Sequence, residues 1–360
     1  MKNNILVISN MYPSKDDPYY GTFVENFISD LKQYTTNSNI DLCTIKGRSY
    51  KIVPKVYKYI KFYILIIYKL LFFSYDLVYV HIITHAALPL RFVSLFKKLP
   101  FVFNIHGEDL ITQTSLSRYF LKLITPLLID SQLIVVPSIY FKTKVKTLLP
   151  MIPEHKIFVS ASGGVKEYFY TENRSQNNKY LRIGYVSRID RGKGWDTFIK
   201  AAKILKDRGL IFDAQIVGRG TEIGKMNDLL LELQLGNVTY IGPVEYKSLP
   251  EIYRNFDLFI FPTKLEESLG LVGLEAMACC TPVIGSKIGG LTDYIEDGKN
   301  GYFFETGNEF SLADIIHQYY YKSDVEKKRL RENAYNKALS YRSDIVSCRL
   351  FKKLGLELIS

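Results

Sequence analysis

The chain has 360 residues, 47% hydrophobic and 23% charged, with a formal net charge of +11. That length suits two domains of ordinary size, and the composition is that of a soluble globular protein with full cores. A basic balance points to phosphorylated ligands, anionic membrane or nucleic acid, and the lack of zinc-finger spacings or an RNP aromatic signature excludes nucleic acid.

The first apolar run, in Met1 to Ser9, is too short for a signal peptide and has no cleavage site. It reads as a buried strand over 4–9. A loop from Asn10 to Tyr20 leads to Gly21 and a helix over 22–34. A helix start without side-chain bulk can approach a phosphate. A strand fits 39–44 and a helix 54–73. Around that helix Lys51, Lys55, Lys58, Lys61 and Lys69 interleave with Tyr57, Ile60, Phe62, Ile66, Phe72 and other apolar residues. Its longest apolar run, Phe62 to Tyr68, is far below the roughly 18–20 residues that cross a bilayer. The segment Lys51 to Phe73 therefore has two readings. One is a helix lying in an anionic membrane interface, the other a crossover helix with its apolar side on a sheet.

Further strands fit 77–83, 100–105, 132–136 and 156–160, with helices at 86–97, 114–128 and 138–147 between them. His106 follows one of these strands, in Ile105-His106-Gly107-Glu108-Asp109. His81 ends another. His106 is preferred for a polar role, because the glycine after it permits close backbone approach.

Residues 171–180 form the one clearly polar segment and mark a domain boundary. Beyond it strands fit 181–186, 213–217, 237–241, 257–261 and 282–285, again with helices between. Repeated β–α units imply parallel sheets covered by helices, and ligands in such sheets bind beyond the carboxyl ends of the strands. After the strand ending at Val186 come Arg188 and Lys193, two cations near a flexible glycine, suited to a diphosphate. Gly218 follows the next strand, but no dinucleotide Gly-x-Gly-x-x-Gly and no Walker loop is present. The four cysteines, Cys43, Cys279, Cys280 and Cys348, make no CxxC pair and suit reduced thiols in the cytosol.

The most informative stretch runs from Glu267 through Ser268, Leu269, Gly270 and Leu271 to Glu275. Eight residues of helix rise roughly 12 Å, whereas a glycosidase carboxyl pair stands roughly 5–9.5 Å apart. The two glutamates suit a clamp better than a hydrolytic dyad. Carboxylates suit the hydroxyls of a sugar and a ribose, and free N–H groups at the helix start suit a phosphate between them.

These signals, taken in order, resemble the retaining, nucleotide-sugar-dependent glycosyltransferases of family 4. The resemblance covers nearly the whole chain. It rests on Glu267 and Glu275 with Ala276 to Val283 after them, Gly289-Gly290, Gly298 to Gly301, Arg188 with Lys193-Gly194, Val217-Gly218, Ser162 to Val165, His106 to Asp109, and Gly21. Cys280 stands where a glycine is usual, Asp293 where a glutamate is usual, and Ser268-Leu269 replaces the common Gly-Phe.

The resemblance implies the GT-B fold, with two Rossmann-like domains facing a central cleft. Residues 1–170 would form the acceptor domain, joined by a returning C-terminal helix at about 341–360. Residues 171–340 would form the donor domain. By the same resemblance Glu275 binds ribose, Glu267 the donor sugar, and the backbone of Ser268, Leu269, Gly270 and Leu271 the diphosphate. Arg188 and Lys193 neutralise that diphosphate, Gly21 lies near the distal phosphate, Gly218 lines the donor site, and His106 lies near the transferred sugar.

The expected function is retaining sugar transfer from a nucleoside diphosphate sugar to a saccharide, lipid-linked, in bacterial surface polysaccharide synthesis. No metal or other cofactor is expected, since no Asp-x-Asp motif stands at the phosphates. The expected location is the cytoplasm, at the inner face of the cell membrane. The alternatives are a nucleotide-sugar epimerase or phosphorylase of the same architecture, and a basic membrane adaptor with a degenerate site.

Overall fold

The computed structural model describes residues 3–17, 20–49, 51–111, 114–170 and 180–359. The expected boundary segment therefore lies, but for Tyr180, outside the described residues. The chain divides into two compact units, one of Met1–Gly164 with Asp344–Ser360 and one of Val165–Ser343.

The first unit is built on six strands: β1 (Asn3–Tyr12), β2 (Ser38–Lys46), β3 (Leu77–His81), β4 (Phe101–Asn104), β5 (Leu133–Val136) and β6 (Ile157–Val159). They lie in the order β2-β1-β3-β4-β5-β6, and every pairing is parallel. A parallel sheet must be covered on both faces, and alternate residues of each strand do this here. Ile5, Val7, Tyr79, Val102 and Val135 face the helix Thr22–Tyr34 together with Leu350 and Phe351. Leu6, Ile8, Val80, Phe103 and Ile134 face Phe62, Ile66 and Leu70 of the helix Ile52–Phe72, along with Val93 and Ile124.

The returning C-terminal helix, Ser343–Lys353, is anchored by Phe351 against Phe27 at 5.8 Å and by Ser347 Oγ donating to Asp30 Oδ2 at 2.8 Å. It stops at Lys353, short of the expected length; Gly355, at a positive φ, follows two residues later.

The second unit has β7 (Leu181–Val186), β8 (Phe212–Val217), β9 (Val238–Gly242), β10 (Leu258–Phe261), β11 (Val283–Ser286) and β12 (Gly301–Phe304). Their order is β12-β11-β10-β7-β8-β9, again parallel throughout. This is the dinucleotide-fold order, and the chain reverses direction across the sheet between β7 and β10. The strand β12 was not expected from the sequence. It is four residues long, begins on a glycine and sits at the sheet edge, so it lacks a long apolar run.

The helix Ile52–Phe72 resolves only half of its two readings. Phe62, Ile66 and Leu70 are buried on the sheet, as a crossover helix requires. A second apolar stripe, Val53, Tyr57, Ile60, Ile64, Tyr68 and Phe72, faces outward; Val53 is 79% and Phe72 74% exposed. Among the described residues no helix is long and apolar enough to cross a membrane.

Candidate active site

Parallel sheets bind ligands where the strand order reverses, beyond the carboxyl ends of the strands. In the second unit that place is defined by the loops after β7 and β10. The loop after β7 carries Arg188 and Lys193 and is clasped by Tyr185, whose hydroxyl reaches the carbonyls of Arg188 and Lys193, both at 3.3 Å. It ends at Gly194, the cap of the helix Trp195–Asp207, with φ of 78°. A Cβ at Gly194 would overlap the Pro262 carbonyl oxygen, so only glycine lets the loop lie against the segment after β10. Lys264 N donates to Gly192 O at 2.7 Å across the same seam.

This contact brings Lys193 to Glu267. Lys193 Nζ stands 2.8 Å from Glu267 Oε1, with side chains 13% and 17% exposed. Thr263 Oγ1 donates to the same oxygen at 2.9 Å. A pair this sheltered keeps more of its attraction than a surface pair does. Arg188 shares the loop but not the pair. Its side chain is 70% exposed and pairs with Asp190 at 3.2 Å. Asp190 is held below the usual carboxylate range, first by the Thr221 N–H at 2.8 Å, with help from the Arg188 and Lys193 charges.

Glu267 lies in the loop before the helix Leu271–Ala278, and Glu275 lies on that helix. Gly270 caps the helix at φ of 81°, a conformation that favours glycine. Ser268 and Leu269 bridge the two; the Leu269 side chain is buried, leaving its backbone as the part that can meet a ligand. Glu267 O accepts from Gly290 N at 2.8 Å, which ties this loop to the glycine pair after β11.

Glu275 is 3% exposed. Burial pushes its carboxyl up to about 7, while the hydroxyls of Tyr246, donating to Oε1 at 2.7 Å, and Tyr253, donating to Oε2 at 3.3 Å, pull it back down. A solvated helix face therefore does not describe this glutamate. Gly218 follows β8, its N–H donating to Gly242 O at 2.9 Å and its carbonyl accepting from Tyr240 at 2.8 Å.

The other expected residues belong to the first unit. Gly21 caps the helix Thr22–Tyr34 beside the end of β1. His106 follows β4, and its Nε2 lies 3.2 Å from His81 Nδ1. The histidine set aside in the sequence is thus the neighbour of the one preferred. Removal from water pulls His106 down to about 4, and His81 well below the usual imidazole range through burial and the His106 charge.

Sequence reasoning missed Thr263, Tyr246 and Tyr253. Thr263 could have been flagged, because it stands two residues past the end of β10. Nothing in the spacing links Tyr246 or Tyr253 to Glu275.

Cys280, where a glycine is usual, takes a left-handed conformation with φ of 57°. The substitution therefore falls on backbone geometry, since a side chain here carries strain that glycine would not.

Residues 169–337 match the model of the family Glycosyl transferases group 1. The match spans most of the second unit and takes in Arg188, Lys193, Glu267 and Glu275. An uncharacterized glycosyltransferase of Methanocaldococcus jannaschii is 27% identical over 256 residues, covering 70% of this chain and 67% of that protein. The capsular polysaccharide biosynthesis glycosyltransferase CapM of Staphylococcus aureus is 31% identical over 176 residues, 45% of this chain. That match takes in 46% of CapM, so this chain spans about half the length of that relative. Among solved structures, Anabaena HepE in complex with UDP is 19% identical with a TM-score of 0.76, over 99% of this chain and 100% of that one. At that identity the likeness is one of fold, and the fold is the GT-B arrangement of two Rossmann-like sheets expected from the sequence.

Proposed function

We propose that the protein transfers a sugar from a nucleoside diphosphate sugar to a saccharide hydroxyl, with retention of anomeric configuration, as in family 4. One observation carries the reading. The Lys193–Glu267 pair, at 2.8 Å, sits at the strand-order reversal beside the start of the helix that carries buried Glu275. This supplies a cation and a carboxylate next to backbone N–H groups, the set a diphosphate and two sugar rings require.

In this reading Glu275 accepts hydrogen bonds from ribose hydroxyls, and the backbone from Ser268 to Leu271 receives the diphosphate. Lys193 and Arg188 meet the charge that grows as the diphosphate leaves. Arg188 has to exchange Asp190 for that role. Glu267 holds the donor sugar. In the first unit Gly21 approaches the distal phosphate, and His106 the transferred sugar. With no carboxylate assigned as nucleophile, attack comes from the face of the departing diphosphate through an ion-pair-like transition state. Positioning and leaving-group stabilisation then supply the rate. Side-chain cations replace a metal in this scheme, so turnover should persist in a chelator.

The acceptor in this proposal is a lipid-linked saccharide at the inner face of a bacterial membrane, in surface polysaccharide synthesis. The outward apolar stripe of the helix Ile52–Phe72 supports it, as does likeness to a capsular polysaccharide enzyme. Not every lysine of that segment is free for lipid. Lys58 Nζ donates to the carbonyls of Lys46 and Gly47, and Lys69 pairs with Asp41. Lys51, Lys55 and Lys61 are exposed. Changing those three to Gln should reduce sedimentation with anionic vesicles and turnover on a lipid-linked acceptor, and spare turnover on a short soluble one.

The deciding experiment is a thermal-shift panel of nucleoside diphosphates and their sugars, followed by NMR of the fresh product's anomeric proton. Ligand binding raises apparent stability by mass action. Stabilisation by no nucleotide, or an inverted product, would overturn the reading. Conversion of the donor with no acceptor present would favour an epimerase instead.

A further inference from the structure

The first unit holds a connected row of four polar side chains of which sugar transfer uses only the last. β3 and β4 set His81 opposite Asn104. Asn104 Nδ2 donates to Tyr79 Oη at 3.0 Å, and the same nitrogen stands 3.4 Å from His81 Nδ1. His81 Nδ1 lies 3.2 Å from His106 Nε2. The imidazole planes are inclined by 28°, and aromatic rings wall them in. Phe23 is 4.5 Å from His106 and Phe27 5.0 Å from His81, centre to centre.

Counting hydrogens favours one pair of tautomers. An amide nitrogen only donates, so His81 Nδ1 is an acceptor and its proton sits on Nε2. The single lone pair of that Nδ1 is shared between Asn104 at 3.4 Å and His106 at the shorter 3.2 Å, which places the His106 proton on Nε2 and leaves a lone pair on its Nδ1. The far side of His81 agrees with this. Its Nε2 is buried and meets no protein partner among the described residues. His81 lines a cavity of ≈ 30 Å³ whose wall includes Asp30, Ser160 and Ser347. That volume accommodates one water, and oxygen acceptors are at hand for an N–H.

We propose that His81 is a positioning residue that holds His106 in its Nε2-protonated form, so that His106 offers Nδ1 as an acceptor to a hydroxyl of the transferred sugar. The proposal rests on the reading that His106 meets that sugar. It also refines substrate choice. A bare ring nitrogen selects a hydroxyl that can donate, so a donor deoxygenated or O-methylated at that position is a poor substrate. The opposite tautomer would present an N–H and tolerate the methyl ether's oxygen.

The test is long-range proton–nitrogen NMR on protein labelled with ¹⁵N-histidine, at pH 7 and without ligand. His106 should show the pattern of protonated Nε2 and bare Nδ1. His81→Phe should mix the His106 tautomers and lower kcat/KM about three- to tenfold, the worth of one hydrogen bond. His81→Asn returns an amide oxygen near the place of Nδ1 and should restore both the single tautomer and most of the rate. A wild-type His106 protonated on Nδ1, or His106 signals unmoved in His81→Phe, overturns the proposal. Should His81→Phe fail to fold, the wild-type and His81→Asn spectra decide. His106→Ala separates the two layers. The expected tautomer in wild type with full activity in His106→Ala would refute the sugar contact while leaving the His81–His106 lock in place.

Discussion

Replacing Glu275 by Gln should stabilise the second unit while weakening its affinity for nucleotide. The carboxyl is buried, and its folded-state value is raised from about 4.5 to about 7. Between those values the folded protein binds more protons than the unfolded chain, so stability falls as pH rises from about 4.5 to about 7 and the penalty stays complete above that. A shift of that size corresponds to a few kcal/mol, on the order of 3. Gln keeps the shape, an acceptor for one tyrosine hydroxyl and a donor toward the other, and carries no charge. At pH 8 the variant should therefore melt about 5–10 °C above wild type for a unit of this size. At pH 4, where both side chains are neutral, the gap should close. The assay is calorimetry across pH 4–9, with titration of the nucleoside diphosphate at each pH. Ribose hydroxyls favour the charged carboxylate, so wild-type binding should tighten through about pH 7 relative to the variant; the ligand's own ionisation cancels in that comparison. Above pH 7 the variant should bind about tenfold to a hundredfold more weakly, the worth of a hydrogen bond to a charged group. Equal melting temperatures of the two proteins at every pH would refute the buried-charge argument. Equal nucleotide affinity would refute the ribose role.

Three other substitutions probe the geometry. Gly194→Ala should cost about 3 kcal/mol or more, from the left-handed backbone and the overlap with the Pro262 carbonyl; a melting temperature within a degree of wild type would contradict the seam it is said to close. Lys193→Ala should lower kcat by about a hundredfold or more with a smaller rise in donor KM, because in the proposed role the cation meets charge that grows as the diphosphate leaves; stopped-flow single turnovers would expose a binding effect in its place. Cys280→Gly should raise stability by about 0.5–1 kcal/mol, since glycine accepts φ of 57° and its greater unfolded entropy offsets only part of the gain; a chemical-denaturation midpoint that falls would show the thiol packing to matter more than the strain.

The strands were legible because each is a local property. A parallel strand covered on both faces has to be an apolar run, and Leu77 to His81 or Leu258 to Phe261 announce themselves as such. The same reasoning fails for Gly301–Phe304, whose place comes from pairing with Val283–Ser286 and not from its own four residues. Spacing likewise exposed Glu267, Gly270 and Glu275 as a set, since a loop and the helix it starts are contiguous in the chain.

What the sequence left open were the partnerships. Lys193 meets Glu267 from 74 residues away, and only because β7 and β10 become neighbours at the reversal of strand order. His81 and His106 are 25 residues apart, and each looked like a lone strand-end histidine until β3 and β4 paired. The helix Ile52–Phe72 has two apolar stripes, and periodicity shows that both exist without showing that Phe62, Ile66 and Leu70 take the sheet. The charge of Glu275 was the least legible of all. A side chain's ionisation depends on the water removed from it and the hydroxyls turned toward it, and here both come from Tyr246, Tyr253 and a core assembled by the whole second unit.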